Sequence, residues 1–226
     1  MRRALLLCLG IALSFGGVLH AHAQNPAHTN VPSFAPPPPP LTSAQKEELK
    51  RVSTYLNTLK AVQGRFMQIA ADGRSTQGAF YLKKPGRVRF EYDKPNPNLI
   101  VADGSTVAVS NSNLKTTDRY PLLNSPLKLL LSENLDLARD SRIVKVETEP
   151  GALSFTAREN SGPAQGSITL FFADAGSAGL ELRQWEVLDA QGVRTRVVLN
   201  DLHQVADIPP RLFVIQDLSP FKKRDN

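Results

Sequence analysis

The sequence predicts a mainly β domain of the α+β class, an antiparallel barrel or strongly curved sheet carrying two short apolar helices. Three observations predict it. Residues 87–93 alternate without a break, with Val88, Phe90 and Tyr92 on one side and Arg87, Arg89, Glu91 and Asp93 on the other; that is the period of a strand with one apolar and one wet face. Further strand-like runs recur at short intervals with turn residues between them, as in barrels and curved antiparallel sheets. Two stretches, 42–59 and 121–135, carry helical periodicity instead.

Residues 1–23 read as a cleavable export leader. Arg2 and Arg3 precede an apolar run at 4–19, and Ala21, His22 and Ala23 supply a small-x-small cleavage pattern. The run is short for a bilayer span. Cys8, the one cysteine, lies inside it after Leu5, Leu6 and Leu7, which lack the small residues of a lipid-attachment box; with the leader removed, no thiol remains. Residues 24–41 read as a linker, stiffened by the proline run at 36–40. The folded domain is expected at 42–226, long enough for one core.

Thr42 and Gln45 have capping-box spacing, and Leu49, Val52, Leu56 and Leu59 then form one apolar stripe. The period changes at Val62. A strand at 62–69 reaches a hairpin tip at Asp72 and Gly73 and returns at 78–84. Strands at 99–102 and 106–110 flank Asp103 and Gly104. Further strands are expected at 143–148, 153–158, 167–173, 180–188, 193–202 and 211–218, with turns at 150–151, 161–163, 176–179 and 190–192. The segment PLLNSPLKLLLSENL at 121–135 breaks this rhythm. Ser125 suits an N-cap and Pro126 a first helical position, and Leu127, Leu130, Leu131 and Leu135 then share a face with Leu129 beside them. The two helices either cover the open side of a curved sheet or are ordinary core helices.

The net charge is +6, of which Arg2 and Arg3 belong to the leader. The remaining basic residues are interspersed with acidic ones. Lys222, Lys223 and Arg224 form the only cluster, read as a solvated terminus, so no nucleic-acid partner is expected. His203, the one histidine of the folded part, lies among Asn200, Asp201 and Gln204 and reads as a surface residue. No His, Cys or carboxylate spacing suggests a metal site. No Gly-x-Ser-x-Gly elbow or phosphate-cradling loop occurs. Glu47 and Glu48 suit a solvated helix face, while Glu181 and Glu186 are expected on opposite faces of their strand, which argues against paired acid–base work. No enzymatic activity, metal or cofactor is expected. The aromatics Phe66, Phe80, Phe90, Tyr92, Phe155, Phe171, Phe172, Trp185 and Phe213 all fall in expected strands, where core packing accounts for most of them.

The string GAFYLKKP at 78–85, the strand with Arg89, Phe90 and Tyr92, Pro95, IVADG at 100–104, the Phe66 and Gln68 pair and PLKLLL at 126–131 together resemble the LolA family of periplasmic lipoprotein carriers. The likeness starts at Leu56 and covers most of the folded part. It implies an incomplete antiparallel β-barrel whose concave hydrophobic cavity is covered by short helices and receives the acyl chains of lipoproteins. It also implies a periplasmic monomer, loaded by an inner-membrane ABC complex (LolCDE-like) and unloaded at an outer-membrane receptor (LolB-like). Under this resemblance Phe66, Phe80, Leu82, Val88, Phe90, Tyr92, Ile100 and Trp185 line the cavity, and Leu127, Leu130 and Leu131 form the lid. Lys84 stands where the family commonly has an arginine that hydrogen-bonds lid backbone; a lysine is a point charge without a planar fork, so the latch would be looser. Strand alternation points Arg87 and Arg89 away from the cavity.

A second reading is a sensor or regulatory module on the same scaffold, binding a lipoprotein or envelope protein. The lack of a second domain or membrane span in the sequence favours the carrier. A LolB-like receptor would need a cysteine where Ala23 and Gln24 stand.

Overall fold

The computed structural model describes residues 40–125, 127–140, 142–158, 166–189 and 191–218. The leader, nearly all of the proline linker, Pro126, the turn at 161–163 and the basic cluster at 222–224 lie outside them. Helix α1 (Ser43–Thr58) leads into strands β1 (Ala61–Ile69), β2 (Ser75–Lys83), β3 (Arg87–Tyr92), β4 (Asn98–Asp103), β5 (Thr106–Asn111) and β6 (Thr116–Pro121). Short helices α2 (Lys128–Leu131) and α3 (Leu137–Asp140) follow, and then β7 (Arg142–Glu149), β8 (Ala152–Arg158), β9 (Ser167–Asp174), β10 (Leu180–Leu188) and β11 (Arg194–Gln204). All eleven strands form one sheet in the order β6-β5-β4-β3-β2-β1-β11-β10-β9-β8-β7. Every pairing is antiparallel. β6 and β7 do not pair, so the barrel is incomplete, as the family resemblance implied.

The sheet curls tightly. Phe90 on β3 and Trp185 on β10 have ring centroids 6.0 Å apart although three strands separate them in the sheet. A flat sheet would hold those strands roughly 19 Å apart at the usual spacing of neighbours. The inward rows therefore meet in one apolar core that also takes in Leu49, Val52 and Leu56 of α1 and the leucines of α2. The expected alternation holds along β3, where Val88 and Phe90 are buried and Glu91 is exposed.

Helix α1 begins as expected. The Thr42 side chain accepts from the Gln45 N–H at 3.2 Å, and the Gln45 side chain accepts from the Thr42 N–H at 3.0 Å. Its polar groups then fasten it to the sheet. Arg51 makes a two-bond contact with Asp174 on β9, and the Tyr55 hydroxyl accepts the Leu182 N–H of β10 at 2.9 Å.

Four expectations are corrected. Residues 211–218 do not form a strand: a 3-10 turn spans Pro210–Phe213. Pro209 and Pro210 remove two backbone donors. Phe213 and Ile208 instead pack on Ala61 and Val101 in a second, smaller cluster on the outer side of the sheet. The central helix is also shorter than its pattern. β6 runs to Pro121, a 3-10 turn follows at Leu122–Asn124, and α2 has only four residues. Leu127, not Ser125, is the N-cap of α2; Ser125 is extended, and its Oγ accepts the Leu127 N–H at 3.3 Å. Strand β6 and helix α3 had no counterpart in the sequence reading. Finally, Glu181 and Glu186 share the outer face. A bulge between Leu182 and Gln184 shifts the alternation, so that Leu182, Trp185 and Val187 all point inward. Each glutamate pairs with arginine, Glu181 with Arg183 and Glu186 with Arg194 and Arg196.

Candidate functional site

The concave face is built from aromatic residues on strands far apart in the chain. Phe66 meets Phe90 and Tyr92 edge-on at 5.2 and 5.1 Å, and Phe80 lies 5.2 Å from Phe90 and 6.1 Å from Trp185. Edge-on and tilted contacts suit the ring quadrupoles. Leu82, Val88 and Ile100 extend the same buried surface, and Tyr92 packs against it from the rim. Gly78 allows this arrangement. A Cβ there would sit 2.0 Å from the Glu91 carbonyl oxygen and 2.8 Å from the Phe66 ring.

Leu127, Leu129, Leu130 and Leu131 are buried in the same apolar cluster. Several hydrogen bonds with backbone hold the segment that carries them. The Leu122 N–H donates to the Ser105 carbonyl at 2.8 Å. The Gly86 N–H donates to the Leu131 carbonyl, the last of α2, at 2.9 Å. Asn57 on α1 grips Leu135 twice, donating to its carbonyl and accepting its N–H, each at 2.9 Å. One turn earlier on α1, the Ser53 hydroxyl accepts the Leu137 N–H at 3.1 Å while donating to the Leu49 carbonyl at 2.8 Å.

Lys84 is 8% exposed, and its ammonium donates to the Leu56 carbonyl near the end of α1 at 2.8 Å. The last carbonyls of a helix lack intrahelical donors and carry the negative end of its dipole, so a cation there is well placed. The contact is to α1 rather than to the α2 segment. Burial and the neighbouring Lys60 charge pull the Lys84 amine down to about 8. At the opposite end of the barrel, the Tyr92 hydroxyl donates to Gln68 Oε1 at 2.5 Å. Burial holds that phenol well above its ordinary value.

The aromatic and leucine residues named from the sequence thus converge. Ser53, Asn57, Tyr55 and Gly86 were not legible as contacts. The available signal was Ser53 and Asn57 four residues apart beside an apolar helical stripe, a spacing that places both on one face.

The family model described as "Outer membrane lipoprotein carrier protein LolA" matches residues 57–216. The chain belongs to this family. Among curated relatives, an outer-membrane lipoprotein carrier protein of Methylococcus capsulatus is 27% identical over 182 residues, covering 76% of this chain and 85% of that one. A protein of the same name from Coxiella burnetii is 28% identical over 131 residues, covering 54% of this chain. The match spans 62% of that relative's length, under two thirds of it. A LolA superfamily protein of Nitrosomonas europaea has a solved structure with a TM-score of 0.41 at 13% identity, covering 78% of this chain and 99% of that one. Among the described residues no group of three or more His, Cys, Asp or Glu could hold a metal ion, and no helix is long and apolar enough to cross a membrane.

Proposed function

We propose that this LolA-family chain is a periplasmic carrier that shields the acyl chains of lipoproteins on the concave face of its open barrel and moves them from an inner-membrane releasing complex to the outer membrane. One observation carries the reading. The aromatic surface and the leucines of a four-residue helix share one buried cluster, and hydrogen bonds to Gly86 and Asn57 help hold that helix's segment in place. Leu127, Leu130 and Leu131 then act as internal stand-ins for cargo, and Phe66, Phe80, Leu82, Val88, Phe90, Tyr92, Ile100 and Trp185 as the surface they vacate.

Magnitudes favour a shuttle. Burying one methylene is worth roughly 0.8 kcal/mol, so an acyl chain of about fifteen methylenes gains on the order of 12 kcal/mol. Exposing three or four leucines costs roughly 1.5–3 kcal/mol each, which cancels much of that gain. The small difference is what a protein that must also release its load requires. Lys84 is proposed to anchor α1 as a fixed post beside which the α2 segment moves.

The test is purification of the chain from envelope extracts followed by mass spectrometry of what it holds. Triacylated lipoprotein supports the carrier. Phospholipid alone, or a single unacylated envelope protein, contradicts it; the latter outcome would instead fit a regulatory module.

A further inference from the structure

Thr195 is the anomaly of the concave face. It lies in the inward row of β11 with Val197 and Leu199 and stands opposite Val187 of β10, all of them buried. Its side chain is 1% exposed, and among the described residues its Oγ1 has no hydrogen-bond partner. A buried hydroxyl left unpaired forfeits its hydration without return, and native structures rarely tolerate one. Valine has the same shape without that loss, and valine is the residue at the next inward position of the strand, Val197. The hydroxyl therefore invites an explanation in terms of something it bonds.

Its position narrows the partner. Val197, the next inward residue, pairs with Trp185 on one side and Gln68 on the other. Thr195 thus sits one inward step beyond the aromatic floor, at the end of the barrel where β10 turns into β11. Gln68, bonded to the Tyr92 hydroxyl, lies at the same end. That end carries polar groups, whereas the interior from Phe90 and Trp185 towards the leucines of α2 is apolar. An amphiphile lying along this gradient puts its hydrocarbon on the rings and its first polar atoms at Thr195.

We infer that Thr195 is a polar subsite that donates its hydroxyl hydrogen to the carbonyl oxygen of an ester-linked acyl chain held on the concave face. This rests on the carrier reading and adds to it a register, with ester at Thr195 and tail towards Phe90 and Trp185. A lipoprotein and a phospholipid share this ester chemistry.

The test compares two pairs of ligands with the intact chain, a diacylglyceryl lipopeptide and a phospholipid, each beside its ether-linked analogue, which has the same hydrocarbon but lacks the carbonyl. The wild-type protein is expected to prefer the ester form by roughly tenfold, the effect of one buried hydrogen bond. Thr195→Val is expected to abolish that preference while leaving ether affinity and thermal stability at or above wild type. Thr195→Ser, which keeps the hydroxyl, is expected to retain the preference. A Thr195→Val protein with an unchanged ester-to-ether ratio overturns the subsite but leaves the carrier intact. Failure of the wild type to bind any of the four ligands overturns both. If the preference appears with the lipopeptide pair alone, the subsite belongs to lipoprotein cargo; if with both pairs, it reads any acyl ester.

Discussion

The Lys84 ammonium and the Leu56 carbonyl, 2.8 Å apart, join the end of β2 to the end of α1. Lys84 also ties its own N–H to the Lys60 carbonyl at 2.8 Å, so side chain and backbone grip the same helix exit. The charge is held there against burial, which has a pH consequence.

The folded-state pKa of Lys84 is about 8, below the ordinary 10.5, because burial and Lys60 disfavour the charged form. Below pH 8 both states hold the proton and the folded protein bears the full penalty. Between about pH 8 and 10.5 the unfolded chain binds more protons than the folded one, so this group's contribution to stability rises with pH. Above that window the penalty is gone. The difference in stability between wild type and Lys84→Met should therefore shift in favour of wild type across this window. Denaturant titrations at a series of pH values check this; a difference independent of pH between 7.5 and 10.5 contradicts it.

Gly86 has a φ of +74°, and a Cβ there would lie 2.6 Å from the Gly104 Cα. Its N–H holds the last carbonyl of α2. Gly86→Ala meets strain and a backbone clash together, and is expected to cost about 2 kcal/mol or more. Amide exchange should report early opening of residues 127–131 in this variant, with β9 and β10 unaffected.

Asn57→Ala removes both bonds to Leu135. Leaving those two backbone groups unpaired is expected to cost about 1–3 kcal/mol. Because the segment is then easier to displace, acyl ligands should bind up to about tenfold tighter, since a ligand's apparent affinity grows with the fraction of competent protein. Lower stability with unaltered affinity would make Asn57 a purely structural contact.

Phe90 and Leu130 are both buried in the same cluster. Truncation to alanine should cost about 3–5 kcal/mol for Phe90 and about 2–5 kcal/mol for Leu130. Their effects on acyl affinity should have opposite signs. Phe90→Ala removes surface that cargo would touch and weakens binding. Leu130→Ala removes a competitor and strengthens it. Isothermal titration of both variants decides; the same sign for both contradicts a lid that competes with cargo.

Much of this architecture was legible in the chain because strand alternation and turn residues are local signals. β3, β10 and the capping box of α1 came out close to their sequence patterns for that reason. The face assignment of Glu186 failed because one bulge near Leu182 and Gln184 reverses every later residue, and nothing in the string LRQWEV marks it. The central helix ends sooner than its leucine pattern because leucine periodicity reports burial, not helix length; Asn57 and Ser53 draw Leu135 and Leu137 into bonds with α1 instead. The 211–218 segment carries the apolar run LFVI at 212–215, as a buried strand would, but Leu212, Phe213 and Ile215 pack on the outer face of β1 and β4 instead. The convergence of Phe80 and Phe90 on Trp185 depends on how far the sheet curls, which no local pattern specifies.

Trp185 is the one tryptophan of the chain and lies 6.0 Å from Phe90 on the concave face. Its emission during titration with a triacylated lipopeptide, beside the same peptide without acyl chains, tests the carrier reading most directly. A saturable spectral change with the acylated form alone is the predicted result. An unchanged spectrum in a protein that remains folded, or an equal response to the bare peptide, would contradict it.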